Sequence, residues 1–210
     1  MEKTSSAPSP WSQVAIDDVF WAMLSCNNKL ERVQSALGSG FPVNATSTKY
    51  PRGTLLHELA WHCKNADTVL YLVQHGADTL ARDCYGQTPG HIAANRGLLN
   101  MCKALGSKST AWVDVTSRCG NTPLESALAS CRVDLEVVTW LAQHSYDDTL
   151  SAAACKFKPQ PYLAASLAVI KEELARRARW SPLRAAWVAA AVTTKLHYDT
   201  GILQGCKGVH

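Results

Sequence analysis

The sequence predicts an all-α solenoid of about four stacked helix-turn-helix units, followed by a helical C-terminal segment. Three observations carry that expectation. Thr54, Thr88 and Thr122 recur every 34 residues and open similar stretches: Gly53-Thr54-Leu55-Leu56-His57, Gly86-Gln87-Thr88-Pro89-Gly90-His91 and Gly120-Asn121-Thr122-Pro123-Leu124-Glu125. Small residues follow each stretch (Ala60, Ala93-Ala94 and Ala127), and these let two helices approach closely. An aliphatic helical run then comes in every copy, at residues 69–73, 98–102 and 135–141. A fixed period of this length marks a repeat array, in which neighbouring units supply each other's core.

Each element has a local reason. Residues 1–15 hold two prolines, several serines and no apolar run, so they read as a disordered leader and not as a secretory signal. The repeat domain is expected over 16–149, in units of about 16–49, 50–82, 83–116 and 117–149. The first unit lacks the Thr-Pro opening but shows a helix, Leu30-Glu31-Arg32-Val33-Gln34-Ser35-Ala36-Leu37, and a turn, Gly40-Phe41-Pro42-Val43-Asn44-Ala45. In the later units Thr supplies a capping oxygen and Pro89 or Pro123 fills the first helical turn, where its missing N–H costs nothing. Gly76 ends a helix where a left-handed backbone is wanted, and Gly53, Gly86 and Gly120 serve outward hairpin turns, or fingers.

These residues resemble the ankyrin repeat family, whose unit runs roughly D-x-x-G-x-T-P-L-H-x-A-A, a second helix, then a G-A-D-x-N-A-like turn. The closest stretch is His75-Gly76-Ala77-Asp78-Thr79-Leu80-Ala81-Arg82-Asp83-Cys84-Tyr85-Gly86-Gln87-Thr88-Pro89. Thr54, His57, Gly76, Gly86, Thr88, Pro89, His91, Gly120, Thr122 and Pro123 are its structural motif positions, and the histidines are expected to bond neighbouring turns. A tetratricopeptide array has a similar period but lacks the Thr-Pro turn and the G-A-D hairpin. Three departures stand out: Leu55 replaces a proline, Glu125 replaces a histidine, and Gly90 replaces a leucine. The last puts about 1 kcal/mol of helix propensity and some packing at risk.

Composition narrows the function classes. Apolar residues make up 47% and charged residues 18%, as expected of a chain that buries a core. No apolar run reaches the ~18 residues of a membrane span. The eight cysteines include no CxxC pair, which points to a reducing compartment with thiols serving as small core hydrophobes. The location expected is the cytoplasm, with the nucleus and export as an effector into a host cell also compatible. No catalytic residues, metal site, cofactor or small-molecule substrate are expected. His57-Glu58-Leu59-Ala60-Trp61-His62 resembles a zinc signature, but its histidines are five apart and diverge by about 140° on a helix.

The resemblance implies a monomeric, non-catalytic module that binds a protein through its fingers and the concave inner helices. Trp, Tyr and Arg dominate interface energies. Candidate partner contacts are Tyr50, Arg52, Glu58, Trp61, Tyr85, Gln87, Asn95, Trp112, Arg118 and Asn121. Trp112 has a second reading, as a core residue of the adjoining repeat, and Trp61 and His62 could face either the concave surface or the next helix.

Residues 150–210 form a different kind of segment. Residues 156–210 carry 9 Lys/Arg against 3 Asp/Glu, whereas residues 1–155 carry 12 against 14. Residues 162–179 read as an amphipathic helix with Leu163, Leu167, Ile170 and Leu174 on one stripe, and Ser181-Pro182 starts another. A pair that caps the stack is expected. The alternative is a docking element of a ubiquitin-ligase adaptor, although the Pro-Leu-Cys-Arg-like stretch of a SOCS-type box is missing. Arg176, Arg177 and Arg179 stand beside Glu172 and Glu173, a pattern of a solvated helix end more than of nucleic-acid binding.

Overall fold

The computed structural model describes residues 11–24, 29–48, 52–62, 65–130, 133–157 and 163–179. The helices come in pairs: α1 (Gln13–Leu24) with α2 (Lys29–Gly38), α3 (Leu55–His62) with α4 (Ala66–Gln74), α5 (Pro89–Asn95) with α6 (Leu99–Leu105), and α7 (Pro123–Leu128) with α8 (Leu135–His144). The first helix of each pair touches the first helix of the next, and the second helices do the same. The result is a two-layer all-α solenoid. A 3-10 turn, Ala111–Asp114, precedes α7, and α9 (Asp147–Lys156) follows α8. The compact unit continues past α9 and ends at Ile170.

The core lies between the layers. Leu55, Leu59, Val69 and Leu72 are sealed from solvent in the second pair, as are Met101 and Leu105 in the third and Leu124, Leu128, Val137 and Leu141 in the fourth. Cys102 belongs to this set, and burial pushes its thiol up to about 12. Among the described residues Cys84, Cys102, Cys119 and Cys155 are free thiols.

Between pairs the chain makes hairpin fingers closed by one recurring bond: Ser47 N to Gly53 O (3.0 Å), Asp83 N to Gln87 O (3.0 Å) and Ser117 N to Asn121 O (2.9 Å). An antiparallel bridge joins Thr46 and Thr54 at the base of the first. Gly86 has φ +69°, and a Cβ there would stand 2.8 Å from Arg118 Cγ of the next finger, so both conformation and space require glycine. At the end of α4, Gly76 has φ +89° and Ala77 N reaches back to Leu72 O (2.9 Å), closing the helix with a left-handed turn.

The helix starts follow the motif. Thr88 donates its backbone N–H to His91 Nδ1 (3.1 Å) and lies 2.9 Å from that nitrogen through Oγ1. Because Nδ1 accepts, Nε2 carries the proton and donates to Asn121 O at 3.0 Å in the next finger. His57 repeats the arrangement with Thr54 and Gln87 O (3.0 Å). Each imidazole therefore ties its own helix start to the following repeat. Burial holds both rings below the usual histidine pKa.

In the last pair Glu125 stands where a histidine would. Its Oε2 accepts from Thr122 N (2.9 Å) and its own N–H returns to Thr122 Oγ1 (3.3 Å), a reciprocal cap. The carboxylate is buried and is met by Lys156 Nζ of α9 at 3.1 Å, which also donates to Asn121 Oδ1 at 2.7 Å. A helix thus replaces the next finger at this end of the array.

The expected packing loss at Gly90 is corrected by the structure. Trp112 fills the space a leucine would occupy: a Cβ on Gly90 would lie 2.0 Å from Trp112 Cε3. The indole is fully buried and stacks on Trp140, with centroids 5.9 Å apart and planes at 14°. Trp112 is therefore a core residue and not a partner contact.

Of the expected stripe, Leu163 just before helix 164–179 and Leu167 and Ile170 within it are buried in the first unit, whereas Leu174 is only half-buried. A second unit begins at Lys171. There Glu173 accepts from Arg176 Nε (2.8 Å) and Nη2 (2.6 Å) and from Arg177 Nε (2.8 Å). The Arg176 bond holds its carboxyl below the usual range. The helix expected from Ser181-Pro182 lies outside the described residues.

Candidate functional site

A recognition surface on this scaffold needs exposed side chains on rigid elements. The fingers are rigid because they are stapled to each other. Arg82 Nη1 donates to Gly86 O (2.9 Å) and to Thr116 O (2.6 Å) of the next finger. Arg118 Nη1 donates back to Cys84 O (2.7 Å), and its backbone N–H to Tyr85 O (3.0 Å). Arg118, expected as a partner anchor, thus already has a structural task in the stack. Asn121 holds Lys156 and His91, as described above. Gln87 is half-buried, with its N–H on Asp83 Oδ1 at 2.8 Å and its carbonyl on His57. Tyr85 projects from its finger 46% exposed. Arg52 is exposed with φ +60°, a left-handed conformation unusual for a side-chain-bearing residue. Tyr50 lies outside the described residues.

The inner helices place other candidates at their C-terminal ends. Trp61 in the last turn of α3 is 38% exposed. Glu58, one turn earlier, is buried; burial pushes its carboxyl above the usual range, and His62 Nε2 lies 3.6 Å from Oε2. Its position corrects the expectation of a direct partner contact, since its side chain is covered. Asn95 is exposed, and its Nδ2 donates to Ser126 O at 3.0 Å on α7.

Two residues missed in the sequence, Arg96 and Trp21, join Trp61 and His62 at this end of the stack. Arg96, which follows α5, lays its guanidinium over the Trp61 ring, 5.7 Å from the centroid. Trp21 of α1 is 47% exposed, with its ring 6.4 Å from that of His62. A strip Trp21–His62–Trp61–Arg96 thus crosses α1, α3 and α5. One signal was available: Arg96 stands one 34-residue period after His62. Trp21 carried none, because the first unit lacks the motif that sets helix phase.

The zinc-like pattern on α3 is taken up by other bonds. Both ring nitrogens of His57 are engaged within the stack, and His62 faces Glu58. Among the described residues no group of three or more His, Cys, Asp or Glu could hold a metal ion. No helix among them is long and apolar enough to cross a membrane.

A two-layer stack of helix pairs with bonded fingers, closed by Thr-x-x-His caps, defines a repeat protein of the helix-finger type. Residues 20–117 match the family of ankyrin repeats, in three copies, so this part of the chain is an ankyrin-repeat array. Ankyrin repeats generally mediate protein–protein interaction. Comparison with curated proteins finds none that matches the chain.

Proposed function

We propose that the protein is a non-catalytic recognition module that binds a protein partner on its inner helices and fingers. The observation that carries this reading is the exposure of Trp21, Trp61 and Tyr85 on helices and a finger whose backbones are tied into the stack. Large aromatics held half-exposed on rigid elements are typical of interface anchors, because little conformational freedom is lost when they bind. Charged side chains of the repeats are largely used for cohesion: Arg82, Arg118 and Lys156 bond backbone or side chains of neighbouring units. The ligase-adaptor alternative puts its docking element in residues 150–210, much of which lies outside the described residues.

The test is capture from native extract by the parent chain, by Trp61→Ala and by Tyr85→Ala, with circular dichroism to show that the variants fold. A protein retained by the parent and lost from either folded variant supports the reading. Equal retention by all three places binding elsewhere and counts against it.

A further inference from the structure

Resting on that recognition reading, we infer that the strip Trp21–His62–Trp61–Arg96 docks a short linear segment of a partner protein carrying a carboxylate beside a large apolar side chain. The geometry supplies both halves of that chemistry. Two indoles, 47% and 38% exposed, offer apolar area at the ends of adjacent inner helices. Arg96 carries its guanidinium over one of them, 5.7 Å from the ring centroid, and among the described residues no carboxylate pairs with it. A guanidinium held over an indole by a cation–π contact keeps its N–H donors for other partners, and a carboxylate can take them in pairs. Several nearby anions are engaged elsewhere, among them Asp134 beside Gly97, whose Oδ1 caps α8 by accepting from Glu136 and Val137 N–H groups. Glu58 is buried under His62, Glu125 is paired with Lys156, and Asp83 accepts from Tyr85 and Gln87 N–H groups.

The strip's dimensions set the kind of partner. Three neighbouring helices at about 8–10 Å spacing span roughly 20 Å, the reach of about six extended residues. A nucleic acid fits poorly: phosphates need a row of cations, and this strip offers one guanidinium and one imidazole above a buried carboxylate. The fingers are a weaker location because Arg82 and Arg118 are already bonded to neighbouring carbonyls.

The experiment is a selection of random twelve-residue peptides on the full chain, followed by affinities of the enriched peptide for the parent, Trp61→Ala, Arg96→Ala and Tyr85→Ala. The expected peptides carry Asp or Glu next to Trp, Phe or Leu. Trp61→Ala then weakens binding at least tenfold. Arg96→Ala weakens the acidic peptide at least tenfold but leaves its Asp→Asn or Glu→Gln version unchanged, and Tyr85→Ala has little effect. Trp61→Phe, which keeps an aromatic face, retains most of the affinity and controls for loss of fold. No enriched peptide, basic peptides, or binding that survives Trp61→Ala and Arg96→Ala overturns the proposal. Peptides lost only on Tyr85→Ala overturn this surface while leaving protein recognition standing. Displacement of the peptides by a single-stranded oligonucleotide, with steep salt dependence, sinks both.

Discussion

Gly90→Ala is expected to destabilise the protein although alanine is the better helix former. Propensity alone favours the change by about 1 kcal/mol. Against it, the new Cβ would meet Trp112 at 2.0 Å from Cε3, 2.4 Å from Cζ3 and 2.8 Å from Cδ2. Carbon atoms rest at about 3.5–4.0 Å, so the indole must retreat by roughly 1.5 Å. It has nowhere to go, because it is fully buried and stacked on Trp140. Overpacking of this kind costs about 1–3 kcal/mol, and a rigid aromatic puts the site at or above the upper end. The net expectation is a loss of about 1–2 kcal/mol in urea unfolding followed by circular dichroism. In a Trp112→Leu background, itself weakened by about 3 kcal/mol, Gly90→Ala should be neutral or favourable. The coupling between the two sites then exceeds about 1 kcal/mol. A stabilising Gly90→Ala in the parent, or the same cost in both backgrounds, would refute the packing argument.

Other consequences follow from the same structure. His57 and His91 are held neutral by burial, so the unfolded chain takes up protons that the folded chain refuses. Their contribution is full above the ordinary histidine pKa of about 6.5 and is lost as pH falls below it, with a limiting slope of about 1.4 kcal/mol per pH unit for each ring. Glu58, raised by burial, acts in the opposite sense, so urea midpoints between pH 7.5 and 5.5 are best compared in a Glu58→Gln background; a flat profile there would contradict the assignment. Lys156→Met leaves the Glu125 carboxylate buried without its cation and should cost about 1 kcal/mol, well below a fully buried pair because Lys156 is half in solvent. Adding Glu125→Gln should recover most of that loss; full stability of the single variant would show that α9 does not rely on this pair. Trp61→Ala, at an exposed position, should change unfolding free energy by less than about 1 kcal/mol; a larger loss would mark Trp61 as structural and weaken its role as an anchor.

The repeat itself was readable because it is written in local chemistry. A threonine every 34 residues, prolines in first turns and glycines at finger turns need only their own neighbours to act, and the structure places caps and fingers where those residues stand. The histidines behave as the resemblance implied, bonding the following turn. The candidate site was less legible. Exposed Tyr85 and Trp61 were anticipated, with His62 beside Trp61, whereas Trp21 and Arg96 were not, because their association depends on how three helices are phased against each other. Arg118 was expected to reach outward, yet it bonds the preceding finger through a contact between successive repeats.

Period and residue type thus settled the class of fold, the positions of helix starts and turns, and the repeat architecture of the chain. Whether a given side chain faces core or solvent was decided by its neighbours in space. Trp112 is interior because Gly90 leaves room for it, and Glu125 is tolerated in the core because α9 brings Lys156 to it. Caps and turns are satisfied within a few residues of one chain segment, whereas burial and ion pairing are properties of surfaces that meet only after the repeats have stacked.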